Sequence, residues 1–251
     1  MIGIDPHKAT HTAVAVDDDE NVLDEFKIRT SSVQAKQLTD WAGGFGKREW
    51  AVESANGLGY LVAQQLVAAG EIVFDVPPVL ASRVRVLGSG RSQKNDPNDA
   101  RSIAIAALRS GLALVGPDDH ARVLRLLAKR HRDMARLRNK HCSRLHAMLL
   151  ELKVGGIGTQ ISVTKANRLL EAVVAADEVV RYRVLIAREL VDGIARLDIT
   201  LQASKKRIAV AVGASGTSLT DIVGVGPICA ATIIGYTKDA TRFPTKAHFA
   251  T

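Results

Sequence analysis

Five short apolar runs separated by polar turns fill the first 76 residues, and their order restricts the fold of this chain more than any other feature. Ile2-Gly-Ile-Asp5, His11-Thr-Ala-Val-Ala-Val16 and residues 22–28 predict three strands, the last two joined by the polar turn Asp17-Asp-Asp-Glu-Asn21. Glu49-Trp-Ala-Val-Glu53 predicts a fourth strand. Residues 57–69 are apolar and free of proline, which suits a crossover helix; Gly70 stops it, and residues 71–76 form a fifth strand ahead of Pro77-Pro78. A hairpin followed by a β-α-β unit specifies an α/β fold, a mixed sheet with flanking helices.

Four carboxylates fall at informative places on this scheme. Asp5 ends the first strand, Glu53 ends the fourth, and Asp96 and Asp99 lie one helical turn apart at the start of a helix running through residues 103–108 to Gly111, with Asn95 or Asp96 as its cap. Acidic groups brought together without basic partners repel one another, and proteins that gather them neutralise the cluster with a hard divalent cation. The expectation is a Mg²⁺ site at Asp5, Glu53, Asp96 and Asp99, of the kind that activates a nucleophile and stabilises a leaving oxygen at a phosphodiester. The bland alternative makes Asp5 a strand end, Glu53 a loop residue and the two aspartates helix caps. Lys8 and Lys94 sit close in sequence to these positions and are candidate phosphate contacts. His7 and His11 have helical metal-ligand spacing, but Pro6 and the following strand argue against a helix, so both are read as turn residues.

Charge is distributed unevenly. Residues 1–100 carry ten Lys/Arg against fourteen Asp/Glu, whereas residues 101–251 carry twenty-four against twelve. An acidic first part and a basic second part suit a metal site joined to a polyanion-binding arm, although a solvated Arg-rich surface has the same composition. Residues 88–94, Gly-Ser-Gly-Arg-Ser-Gln-Lys, read as a flexible basic loop. From about 118 to 152 runs a long helical pattern with Val123, Leu127, Met134, Leu137, Leu145, Met148 and Leu152 as its apolar seam, crowded by Arg125, Lys129, Arg132, Arg136 and other basic residues. After a Gly-rich break at 153–159 and a short helix, a second seam follows at Val180, Val184, Val191, Ile194, Leu201, Ile208 and Val212. The pair predicts either a helical hairpin or a dimerising coiled coil. Residues 219–234 read as helix, Gly224-Val-Gly226 turn and a helix opened by Pro227, a helix-hairpin-helix whose turn offers backbone N–H groups to a phosphate.

Cys142 and Cys229 lack zinc or redox spacing and read as reduced structural thiols. No apolar stretch reaches bilayer length and the start lacks a signal-peptide pattern, so a cytoplasmic location is expected. The domain reading is 1–112 for the sheet domain, 113–213 for the long helices, and 214–251 for the beginning of a further domain.

Taken with their order, Gly3-Ile-Asp-Pro-His-Lys8, Val52-Glu-Ser-Ala-Asn-Gly57, Lys94-Asn-Asp-Pro-Asn-Asp-Ala100 and Gly224-Val-Gly-Pro227 give a chain that resembles the DEDD-type transposases of the insertion sequence 110 family. The resemblance implies a RuvC-like, ribonuclease H type N-terminal domain, a coiled-coil middle used in oligomer assembly, and a C-terminal transposase domain with a helix-hairpin-helix. It also implies that Asp5, Glu53, Asp96 and Asp99 are the catalytic acidic tetrad, that DNA is the substrate, that a structured guide RNA takes part, and that the protein is a homo-oligomer, a dimer or tetramer. Such enzymes use a serine nucleophile downstream of the helix-hairpin-helix. Ser215 and Ser218 precede that motif and match nothing in it, so a C-terminally truncated transposase is expected. Two other classes remain open: a nucleic-acid-binding fragment with an idle tetrad, and an actin-like or sugar-kinase ATPase, which shares the Gly-Ile-Asp strand but needs a second phosphate hairpin.

Overall fold

The computed structural model describes residues 1–87, 95–158 and 161–250. They form two compact units, Met1–Asp118 and Asp119–Thr251.

In the first unit β1 (Ile2–Pro6), β2 (Thr10–Val16) and β3 (Val22–Arg29) form an antiparallel meander, while β4 (Trp50–Glu53) and β5 (Val73–Val76) add parallel strands on the other side of β1. The order is β3-β2-β1-β4-β5, so the N-terminal strand is central. All five expected strands are present. β1 pairs with β4 through Ile2–Trp50 and Ile4–Val52, which brings the C-terminal ends of both strands, Asp5 and Glu53, to the same edge.

Alternation along β1 divides its side chains between two cores. Ile2 and Ile4 enter the larger one with Trp50, Val52, Leu38 and Leu66, covered by α1 (Gln34–Ala42) and α2 (Tyr60–Ala68). Gly3 faces the opposite side, where α4 (Asp96–Arg109) lies across β1 and β2 with Ala100 and Ala104 against Val14. A Cβ on Gly3 would stand 2.1 Å from the Ala100 carbonyl oxygen and 2.6 Å from the Ala104 nitrogen. The missing side chain therefore sets how closely α4 approaches the sheet. α3 (Pro78–Leu87) packs beside α4, with Ala81 against Ile103 and Ala107 in a further apolar cluster. Neither α1 nor α3 was signalled by the sequence pattern.

In the second unit α5 (His120–Leu152) and α7 (Glu178–Ala214) run antiparallel along each other, tied by Arg138 to Asp198 and by Arg183 Nε to Glu151 Oε2 at 2.7 Å. The two long patterns thus form a helical hairpin within one chain. α6 (Val163–Glu171) closes one end, burying Leu145, Leu149, Leu169, Leu170, Val191 and Ile194. α8 (Pro227–Thr237) closes the other, burying Leu124, Ala128, Ile208, Val212, Ala230 and Ala231. The seam of α5 differs from the expected one: Leu124 and Ala128 are buried, while Val123 and Leu137 are exposed. The neighbouring apolar pairs Val123-Leu124 and Leu126-Leu127 allow two phases of the helical repeat, and packing against α8 selects one.

The helix-hairpin-helix reading needs correction in its first half. Only a 3-10 turn, Leu219–Asp221, precedes the glycine turn; α8 then opens with Gly226 as cap and Pro227 in its first turn. Gly224 adopts φ +89°, the left-handed conformation that favours glycine. A short α9 (Lys246–Ala250) ends the described chain. Among the described residues, no helix is long and apolar enough to cross a membrane.

Candidate metal centre at the end of the central strand

The C-terminal edge of β1 and β4 opens into a cavity of about 330 Å³ lined by Asp5, Glu53 and Asp99 together with His7, Arg85 and Ser102. Each carboxylate arrives by a different route. Asp5 is the fourth residue of the central strand and is buried. Glu53 closes β4, where the chain turns sharply because Ser54 takes φ +50°, a conformation rare outside glycine. Asp99 lies in the first turn of α4, whose start is fixed by the Asn95 side chain accepting from the Asn98 N–H at 2.9 Å and by Pro97 just inside the helix. Asp96, one turn earlier, offers an oxygen that lies with one atom each of Asp5 and His7 inside a triangle with sides under 4.8 Å. The four acidic residues singled out in the sequence therefore converge on one edge of the sheet.

The expectation that they lack basic partners is wrong. Lys27 Nζ on β3 donates to Asp96 Oδ2 at 2.6 Å, and Arg85 Nη1 on α3 donates to Asp99 Oδ1 at 2.5 Å. Sixty-nine residues separate Lys27 from Asp96, and no local pattern couples them. Arg85 depends on α3, which the sequence reading did not include. The Lys27 hydrogen bond pulls the Asp96 carboxyl below its usual range. Glu53 behaves in the opposite way: burial raises its pKa first, and the Asp5 and Asp99 carboxylates raise it further.

Of the two histidines expected in a turn, His7 lies in one and His11 does not. His7 is exposed in the β1–β2 turn, with Nδ1 3.5 Å from Asp5 Oδ2, which makes it a site residue that the sequence reading passed over. Its place two residues beyond Asp5, just past the end of β1, was the available signal. His11 is buried within β2, where Nε2 meets Gln34 Oε1 at 3.2 Å and burial lowers its pKa. It belongs to the core, not to the cluster.

Asp5, His7 and Asp96 each offer one ligand atom within 4.8 Å of the others, Glu53 and Asp99 line the cavity beside Asp5, and the repulsion that further raises Glu53 is the kind a cation relieves. These residues fit a divalent metal ion.

The remaining candidates lie elsewhere. Lys8 is exposed in the β1–β2 turn. Lys94 and the 88–94 loop lie outside the described residues. On α5, Arg125 and Arg132 stack on the Tyr236 ring of α8 at 4.7 and 5.7 Å from its centroid and are half-buried, whereas Lys129 and Arg136 are exposed. Open space surrounds Gly224 and Gly226 in their turn.

A central strand flanked by an antiparallel hairpin on one side and parallel strands on the other, with carboxylates gathered at its C-terminal end, defines an α/β domain with a mixed five-stranded sheet bearing an acidic site. Residues 2–154 match the transposase family model of the IS110 DEDD type, and residues 216–251 match the model described as transposase, IS116/IS110/IS902 family. The first match spans well over half of the chain, which belongs to the IS110-type DEDD transposase family. The chain is 33% identical over 150 residues to the insertion element IS116 uncharacterized 44.8 kDa protein of Streptomyces clavuligerus, an alignment covering 59% of this chain and 37% of that protein. Solved structures of Thermus thermophilus RuvC, one in complex with a Holliday junction substrate, match 46% of this chain and 99 to 100% of their own at 19% identity, with TM-scores of 0.35 and 0.34.

Proposed function

We propose that this chain carries out metal-dependent phosphodiester chemistry on DNA during movement of an insertion element, with Mg²⁺ as the ion and Asp5, Glu53, Asp96 and Asp99 as its ligands and catalytic residues. The observation that carries this reading is the convergence of residues from β1, β4 and the first turn of α4 on one cavity. A divalent ion held there supplies Lewis-acid stabilisation of a phosphoryl oxygen and an activated oxygen nucleophile. The chain's own residues prepare that chemistry. Asp5, rigid on the central strand, fixes the centre of the site. Asp96 and Asp99 hang from one helix turn at the edge, and Glu53, at the end of β4, brings a further carboxylate to the cavity.

Lys8, Lys94, Arg125, Lys129, Arg132, Arg136 and the Gly224–Gly226 turn are the proposed backbone contacts, sequence-independent in character. The exposed positions of Lys129 and Arg136 support this role most directly. Family membership supports DNA as substrate, and by the same route a structured guide RNA and a homo-oligomer, dimer or tetramer, complete the proposal. A competing reading, an idle acidic cluster on a nucleic-acid-binding protein, draws on the two ion pairs that already occupy Asp96 and Asp99.

An element-mobility assay, with the protein expressed from its own reading frame, separates the two. Asp99→Asn is expected to reduce recombinant products by more than about a hundredfold while leaving the circular dichroism spectrum unchanged, since loss of a ligand removes charge stabilisation from the transition state. Undiminished product would exclude the catalytic role.

A further inference from the structure

Arg85 is a basic residue in the lining of the acidic cavity, outside the tetrad. It comes from the last turn of α3, lines the same cavity as Asp5 and Glu53, and holds Asp99 at 2.5 Å with 27% of its side chain exposed, against 16% for Asp99. We propose that Arg85 substitutes for the divalent ion while the site is metal-free, and turns to a substrate phosphate when the ion enters. The inference rests on the reading of the carboxylates as a metal site.

The physical argument begins with charge. A half-buried aspartate needs a cation, and Arg85 supplies it in the metal-free state. A divalent ion taken up by Asp99 brings like charge within a few ångströms of the guanidinium. Arginine cannot escape by losing a proton, since it stays charged at any physiological pH. Its remaining course is to move, and its partial exposure gives it a path into the cavity. There the guanidinium fork matches a phosphate in bidentate geometry, and the Ser82 hydroxyl lines the same space. Lys27 differs on each count: its pair with Asp96 is solvent-exposed, with 57% of the lysine side chain accessible, and it does not line the cavity. Exposed pairs of that kind hold their partners weakly.

Two titrations of the full chain test the proposal: Mn²⁺ binding without nucleic acid, read from the electron paramagnetic resonance signal of the free ion, and binding of a short DNA duplex in Ca²⁺. Arg85→Gln is expected to bind Mn²⁺ about three- to tenfold more tightly than wild type, because a competing charge is gone, and DNA more weakly by at least about threefold. Arg85→Lys keeps the charge and loses the fork; it is expected to stay within about twofold of wild type for Mn²⁺ and to lose DNA affinity. Unchanged or weaker Mn²⁺ binding by Arg85→Gln would make Arg85 a structural partner of Asp99 and overturn the proposal. Should Arg85→Gln fail to fold, Arg85→Lys decides it, and weakened Mn²⁺ binding there counts against the exchange. Absence of Mn²⁺ binding in wild type would remove the metal reading itself, whereas normal binding in wild type with no tightening in Arg85→Gln removes only the role of Arg85.

Discussion

Gly3→Ala is expected to destabilise the first unit by about 3 kcal/mol or more, a large share of the 5 to 15 kcal/mol by which domains are usually stable. The added carbon would meet the Ala100 carbonyl oxygen at 2.1 Å and the Ala104 nitrogen at 2.6 Å. Both are backbone atoms of α4, so no side-chain rotation relieves the overlap. Either α4 lifts from β1 or the strand shifts, and in both cases Asp96 and Asp99 move away from Asp5. Metal binding should weaken together with stability, an association that an ordinary core defect far from the site would not produce. Urea denaturation followed by circular dichroism measures the first effect, with Gly111→Ala as a control, since open space surrounds that position. A neutral Gly3→Ala would mean that α4 does not lie where the packing puts it.

Glu53→Gln is expected to do the opposite for stability and to remove function. In the metal-free protein Glu53 is burdened by burial and by the Asp5 and Asp99 carboxylates, all of which disfavour its charged form. The folded state therefore binds this proton more tightly than the unfolded chain does. The contribution of Glu53 to stability is highest below the ordinary value of 4.5 and declines as pH rises through the raised folded-state value; above it the penalty is complete. Removing the charge should raise metal-free stability at pH 7, modestly because the group is partly solvated. The increment should fade in acid, and it should reverse in saturating divalent ion, where wild type gains binding energy that the variant cannot. A thermal-melting series with and without Mn²⁺ at two pH values tests all three statements. A variant less stable than wild type in chelator would contradict the repulsion.

Much of this site was legible in sequence because its two strand-borne members end short apolar runs, and because Asp96 and Asp99 share a turn behind a recognisable cap. The mixed sheet followed from the hairpin and crossover signals, which are local. What escaped was tertiary. α1 reads as Gln-Ala-Lys-Gln-Leu-Thr-Asp-Trp-Ala, too polar to announce itself, with no side-chain hydrogen bond at its N-cap. α3 begins at Pro78, where the proline pair read as a stop although proline is well suited to a first helical turn. Missing α3 meant missing Arg85, and pairing across the sheet concealed Lys27. The long helices carried enough apolar pattern for a seam, but choosing between partners within and between chains needed the fold, in which His131 Nδ1 meets Ser204 Oγ at 3.1 Å along the hairpin.

The central claim is that the acidic edge of β1 binds a divalent ion through its carboxylates. The most direct measurement is calorimetric titration of Mn²⁺ into wild type and into Asp5→Asn, with folding of both verified by circular dichroism. Saturable binding to wild type, weakened by more than about tenfold in Asp5→Asn, is the predicted result. Equal binding to the two proteins, or none to either, would contradict it.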